Sequence, residues 1–143
     1  MGRDALEAAV IAGLFTNLII KPAAGRLRPA ESDGRTVFEP FSSHRSFTSG
    51  HATAAFAVSS VVAMRAPGWI IPTVAYTLAT LVAMDRINDQ AHFASDVFAG
   101  AAIGLSTGRF IVNRHRRQAE GERPKAVVEV VPIRDGLAVH VAF

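Results

Sequence analysis

The 143 residues include no cysteine, which excludes disulfides, thiolate nucleophiles and cysteine-held zinc while leaving the redox compartment open. Tryptophan and tyrosine occur once each, beside nine phenylalanines. The short basic run 114–117 is not interleaved with aromatics of the kind on which single-stranded nucleic acids stack, and no nucleic-acid partner is expected. No internal repeat or low-complexity tract is present, and no removable leader is expected, because the first 20 residues carry Arg3, Asp4 and Glu7 and lack a small-residue cleavage site. Apolar residues are abundant: half the chain is hydrophobic and the mean hydropathy is +0.26, which leaves the membrane and soluble classes both open. The length suits one domain. Fifteen Lys and Arg against 12 Asp and Glu give a net charge of +3, so the placement of charge, not its sum, must identify a partner.

Four apolar segments are read as helices: 5–20, 51–64, 68–84 and 95–112. The first is expected to end at Lys21-Pro22, since proline disfavours helix in the residue before it. The second stops at the Arg-Ala-Pro-Gly stretch 65–68, the third runs without charge into Asp85 and Arg86, and the fourth opens with Ser95 as a capping serine. Residues 21–50 carry Gly25, Pro29, Gly34 and Pro40 and read as a long loop, of a length that is usually functional in a compact domain. Gly100, Gly104 and Gly108 recur every four residues as a helix-packing seam. Beyond residue 117, two valine-rich runs flank Arg134-Asp135-Gly136, a hairpin signal. The expected fold is an all-α, membrane-embedded bundle of about four core helices, 1–117, with a β-hairpin tail, 118–143.

In a bundle whose helices alternate in direction, the end of the first, the start of the second, the end of the third and the start of the fourth share one side. Lys21, Arg28, His51, Arg86 and His92 then converge there, beside two helix N-termini that add backbone N–H donors. This is the composition of an oxyanion site. His92 and Asp96 stand four apart at a helix start, so the carboxylate can hold one ring nitrogen and leave the other free to attack or accept a proton. The backbone N–H groups of Ser49 and Gly50 are expected to point at a phosphate oxygen. No His-x-His or paired-carboxylate spacing appears, so neither a metal nor another cofactor is expected, and the chemistry is read as metal-free phosphate chemistry. Arg26, Arg35, His44 and Arg45 are read as structural or solvated loop residues, and His115 and His140 as surface residues.

These residues resemble the motifs of the type 2 phosphatidic acid phosphatase superfamily, which also contains bacterial acid phosphatases and vanadium haloperoxidases. Lys21 is followed after six residues by Arg28-Pro29; Thr48-Ser49-Gly50-His51 matches Pro-Ser-Gly-His apart from its first residue; and Arg86, His92 and Asp96 match the third motif, with Asp85 where a serine is usual. The resemblance covers about residues 15–112. It implies that His92 is the nucleophile of a phosphohistidine intermediate, Asp96 its orienter and His51 the general acid. Lys21, Arg28, Arg86, Ser49 and Gly50 would bind the phosphate. Membrane members typically place two helices before the first motif, so the chain is read as a minimal or truncated version.

The implied function is hydrolysis of a lipid phosphate or diphosphate monoester, with a soluble acid phosphatase and a catalytically silent anionic-lipid-binding protein as alternatives. Phosphatidate, phosphatidylglycerol phosphate and a polyprenyl diphosphate all stay open as substrates. Arg3, Arg65, Arg114, Arg116 and Arg117 at the opposite end place that end in the cytoplasm and the site on the outer face of the cell membrane. A mostly apolar hairpin is marginal alone, so a homo-oligomer is expected.

Overall fold

The computed structural model describes residues 1–33 and 35–121, together with the backbone of 127–133 and 136–142. Two compact units are present, Met1–Asn113 and Arg114–Phe143. Helix α1 spans Gly2–Phe15, passes through a π turn at Thr16–Ile20 and continues as the short helix α2, Lys21–Ala24. The expected stop at Pro22 is therefore corrected. Proline in a regular helix clashes with the carbonyl four residues back; here a widened turn precedes it, and the helix ends instead at Gly25, whose φ of 55° is left-handed.

Residues 25–49, read as loop, are tied down by backbone hydrogen bonds. Leu27 N–H donates to Val37 O at 3.1 Å, Glu39 N–H to Gly25 O at 2.8 Å and Ser46 N–H to Arg26 O at 2.9 Å, with a 3₁₀ turn at Pro29–Glu31. A Cβ on Gly25 would lie 1.7 Å from Glu39 O, so the close approach of these two strands of chain requires glycine.

Helix α3 (Gly50–Arg65) is central and packs on α1 and on α4 (Ile70–Asn88). Asp4 near the start of α1 pairs with Arg65 at the end of α3, at 2.6 Å, and Ser59 Oγ donates to Ala75 O on α4 at 2.8 Å. Both neighbours thus run antiparallel to α3. Helix α5 is longer than expected, Ala94–Gly121, because residues 113–121 are good helix formers rather than a stop. It lies parallel to α3 along the glycine seam: a Cβ on Gly100 would meet Ser49 O and Thr53, one on Gly104 would meet Thr53 O and Ala57 N, and one on Gly108 would meet Ala57 O and Ser60. The core is correspondingly small-chained, with Ala8, Ala12 and Ala57 around Val61, Ile111 and Val112.

Large apolar side chains are turned outward instead, among them Leu6, Leu14 and Leu18 on the first helix and Ile70, Val74, Leu78 and Leu81 on α4. Gly2–Ala24 and Ile70–Asn88 are long and apolar enough to cross a membrane. Their most apolar windows are only 17% and 11% buried, so they are not helices sunk in a soluble core. In the second unit, strands β1 (Val127–Ile133) and β2 (Gly136–Ala142) pair antiparallel, Val127 opposite Ala142 and Ile133 opposite Gly136. Arg134 and Asp135 of the expected turn lie outside the described residues.

Candidate active site

The first turn of α5 fixes the site. Asp96 is fully buried, and its carboxylate reaches back to the Phe93 N–H at 3.0 Å, a helix-capping bond. The same oxygen accepts Ser46 Oγ at 2.6 Å, while the other accepts the guanidinium of Arg26. Burial pushes the acid's pKa upward, but His92, Ser46, the Phe93 N–H and Arg26 together outweigh it, and the carboxyl is held below its ordinary value. His92, also buried, has Nδ1 3.8 Å from Asp96 Oδ2. That is within ion-pair range but longer than a hydrogen bond, and Nδ1 has no other partner. The ring is positioned from behind by its backbone N–H, which donates to Arg86 O at 3.2 Å.

The start of α3 is joined to this turn. Ser49 caps α3, accepting the Ala52 N–H at 3.4 Å, and its own N–H donates to the Asp96 carbonyl at 3.0 Å. The expectation that the Ser49 N–H faces a phosphate is therefore corrected: it is already committed to α5, and the first-turn groups without an intrahelical acceptor begin with Gly50 and His51. Lys21 comes close, since a Cβ on Gly50 would lie 3.6 Å from its Nζ and 3.6 Å from Asn17 Oδ1. Arg28 and Arg45 stand near enough for their charges to act on Lys21. His51 follows Gly50 on the exposed edge of the first turn.

Arg86 is held by its own neighbours. Its guanidinium contacts Asp85 and lies 3.1 Å from Asp89, so its charge is engaged by two neighbouring carboxylates. Of the loop residues read as structural, His44 pairs with Glu39 at 3.4 Å, and it lines with Arg28, Glu31 and Arg45 a polar pocket of ≈ 600 Å³. Arg26 is buried against Asp96, and Ser46, whose position carries no sequence signal, donates to the same carboxylate. No local spacing marks Arg26: residues two apart in an extended segment would share a face, yet Arg26, bridged to Phe38, is buried while Arg28 is exposed. Between α3, α4 and α5, Phe56, Ala83, Ile87, Val97, Phe98 and Leu105 line an apolar groove of ≈ 370 Å³.

Comparison with known proteins gives the same frame. Lipid A 1-phosphatase of Rhizobium etli is 37% identical over 109 residues, 73% of this chain and 46% of that protein. The protein of the same name from Rhizobium johnstonii is 39% identical over 100 residues, covering 66% and 40%, and that from Porphyromonas gingivalis is 34% identical over 109 residues, covering 73% and 21%. The chain thus spans less than half the length of these relatives. No solved structure matches. The family model described as PAP2 superfamily matches residues 4–120, and the chain belongs to the PAP2 superfamily.

Proposed function

We propose that the chain is the helical catalytic part of a membrane phosphatase that hydrolyses a phosphate or diphosphate monoester carried on a lipid. The observation that carries this reading is His92 set beside a buried carboxylate at a helix start, with the start of α3 hydrogen-bonded to the same residue. His92 faces Asp96 through Nδ1, so Nε2 is the free nitrogen and attacks phosphorus in line, forming the P–N bond as the ester oxygen departs. His51 gives that oxygen its proton, then takes one from the water that cleaves the phosphohistidine, releasing inorganic phosphate and restoring both rings. Lys21, Arg28 and Arg86 balance the charge of the transferring group, with the N–H groups at the start of α3. Each step closes with the chain's own residues, and we propose that no metal takes part.

The apolar groove between α3, α4 and α5 supports a lipid substrate, since it offers an acyl chain an apolar surface. The relatives named lipid A 1-phosphatase support the same class. The outward apolar faces of α1 and α4 support embedding in the membrane. The basic end opposite the site is assigned to the cytoplasm, so a cysteine at position 35 should react with an impermeant reagent in intact cells. Residues 1–117 form the catalytic part in this reading, and 118–143 a hairpin tail that pairs copies of the chain; deletion of 124–143 should reduce its size in detergent. The function itself is tested by phosphate release from a panel of lipid and soluble phosphates, with EDTA and with vanadate. Turnover of lipid phosphates that survives EDTA and is inhibited by vanadate is expected; turnover of soluble esters alone, or loss in EDTA, contradicts the reading.

A further inference from the structure

We infer that Arg26, with Ser46, is a positioning residue that holds the Asp96 carboxylate in the orientation from which it faces His92. Arg26 lies outside the residues assigned to the phosphate and 70 positions from Asp96, yet its guanidinium is aimed into the site's interior. Its Nη1 donates to Asp96 and, at 2.7 Å, to Ser95 Oγ, and Nη2 donates to Thr36 Oγ1 at 3.2 Å. Phe93 lies 3.9 Å from the guanidinium carbon and Phe38 5.1 Å, so the cation is clamped between two rings. Ser46 donates its backbone N–H to the Arg26 carbonyl at 2.9 Å and its hydroxyl to Asp96 at 2.6 Å. Both residues are buried, with 5% and 0% of their surfaces exposed.

A buried arginine held this firmly does more than fill space. An uncompensated carboxylate 3.8 Å from an imidazole favours its protonated form, and a protonated ring has no lone pair with which to attack phosphorus. Arg26 compensates the carboxylate at Oδ1, which leaves Oδ2 on the side of His92. The charged groups around the ring are Asp96 from α5, Arg26 from the segment after α2, and Arg86 with its partners Asp85 and Asp89 at the end of α4; His51 and Lys21 stand at the facing start of α3 and end of the first helix. Of these, Arg26 is the cation in direct contact with the carboxylate that faces His92.

The inference rests on His92 as the attacking base, and its test separates the two. The logarithm of kcat/KM for p-nitrophenyl phosphate is followed against pH for the chain in detergent, with Arg26→Gln, Arg26→Lys, Ser46→Ala and His92→Ala. Removing the positive charge leaves the carboxylate beside His92 uncompensated, so the acidic limb of the Arg26→Gln profile is expected to move to higher pH. Arg26→Lys keeps the charge and is expected to hold the limb in place while kcat falls, because lysine lacks the two-point fork. Ser46→Ala removes a neutral donor and is expected to lower kcat at unchanged KM with a smaller shift in the same direction. This last variant gives a reading even where Arg26→Gln does not fold. Profiles displaced equally at every pH, with the limb unmoved in Ser46→Ala and in Arg26→Gln, overturn the inference. Activity retained in His92→Ala would instead remove the assignment of His92 on which it rests.

Discussion

The backbone N–H of Ser49 donates to the carbonyl of Asp96 over 3.0 Å, so the start of α3 and the start of α5 are one rigid junction. That junction depends on the glycine seam. A Cβ on Gly100 would lie 2.6 Å from Ser49 O, and one on Gly104 would lie 2.3 Å from Thr53 O, both backbone atoms that cannot step aside. Gly100→Ala and Gly104→Ala are each expected to destabilise the fold by about 1–3 kcal/mol or more, as overpacking does. Thermal unfolding in detergent checks this; an unchanged Tm for Gly104→Ala would show that the two helices do not pack along the seam.

Gly50 makes a contrasting case. A Cβ there would meet Asn17 and Lys21 at 3.6 Å, ordinary contact with flexible side chains. The fold tolerates alanine at this position, and in a helix alanine is better by about 0.5–1 kcal/mol. Gly50→Ala should therefore keep or raise Tm while kcat/KM falls at least several-fold, because the added methyl occupies the approach to Lys21. Equal activity would place the phosphate elsewhere.

Asp85 and Asp89 hold the guanidinium of Arg86. A phosphate arriving at Arg86 must compete with them for the guanidinium. Asp85→Ser should free the arginine and lower KM by a few-fold, with inhibition by inorganic phosphate strengthened in parallel. An unchanged inhibition constant would remove Arg86 from the clamp.

His51 and His92 are expected to part company when the leaving group changes. An alkoxide needs a proton to depart and a nitrophenolate scarcely does, while general-acid help is worth about 10²–10⁴ in rate. His51→Ala should lose far more kcat/KM on an alkyl or lipid phosphate than on p-nitrophenyl phosphate, whereas His92→Ala should lose both alike, with Asp96→Asn between them. Equal losses on both substrates for His51→Ala, with phosphate binding intact, would make it part of the anion clamp.

Much of the site was legible because its polar residues interrupt apolar helices at their ends, where only a bundle with alternating directions brings Lys21, Gly50, His92 and Asp96 together. The glycine seam was legible for a similar reason, as spacing alone puts Gly100, Gly104 and Gly108 on one face. What spacing does not carry is which way an extended chain turns its side chains. Arg26 and Arg28 differ by two residues in a segment whose pairing with Phe38 is non-local, and the burial of one against Asp96 follows from that pairing. The helix through Pro22 was hidden for a related reason: a π turn at Thr16–Ile20 precedes the proline, and no local propensity records it. The commitment of the Ser49 N–H to Asp96 likewise depends on α5 lying against α3.

The central claim is that His92 becomes covalently bound to phosphorus, and trapping that bond tests it most directly. The chain would be mixed with a substrate labelled in its phosphate, denatured in base during turnover and digested. The account predicts an acid-labile, base-stable label on the peptide that contains His92, absent in His92→Ala and still formed from p-nitrophenyl phosphate in His51→Ala. A fully active chain that carries no label, or carries it on a peptide without His92, would contradict it.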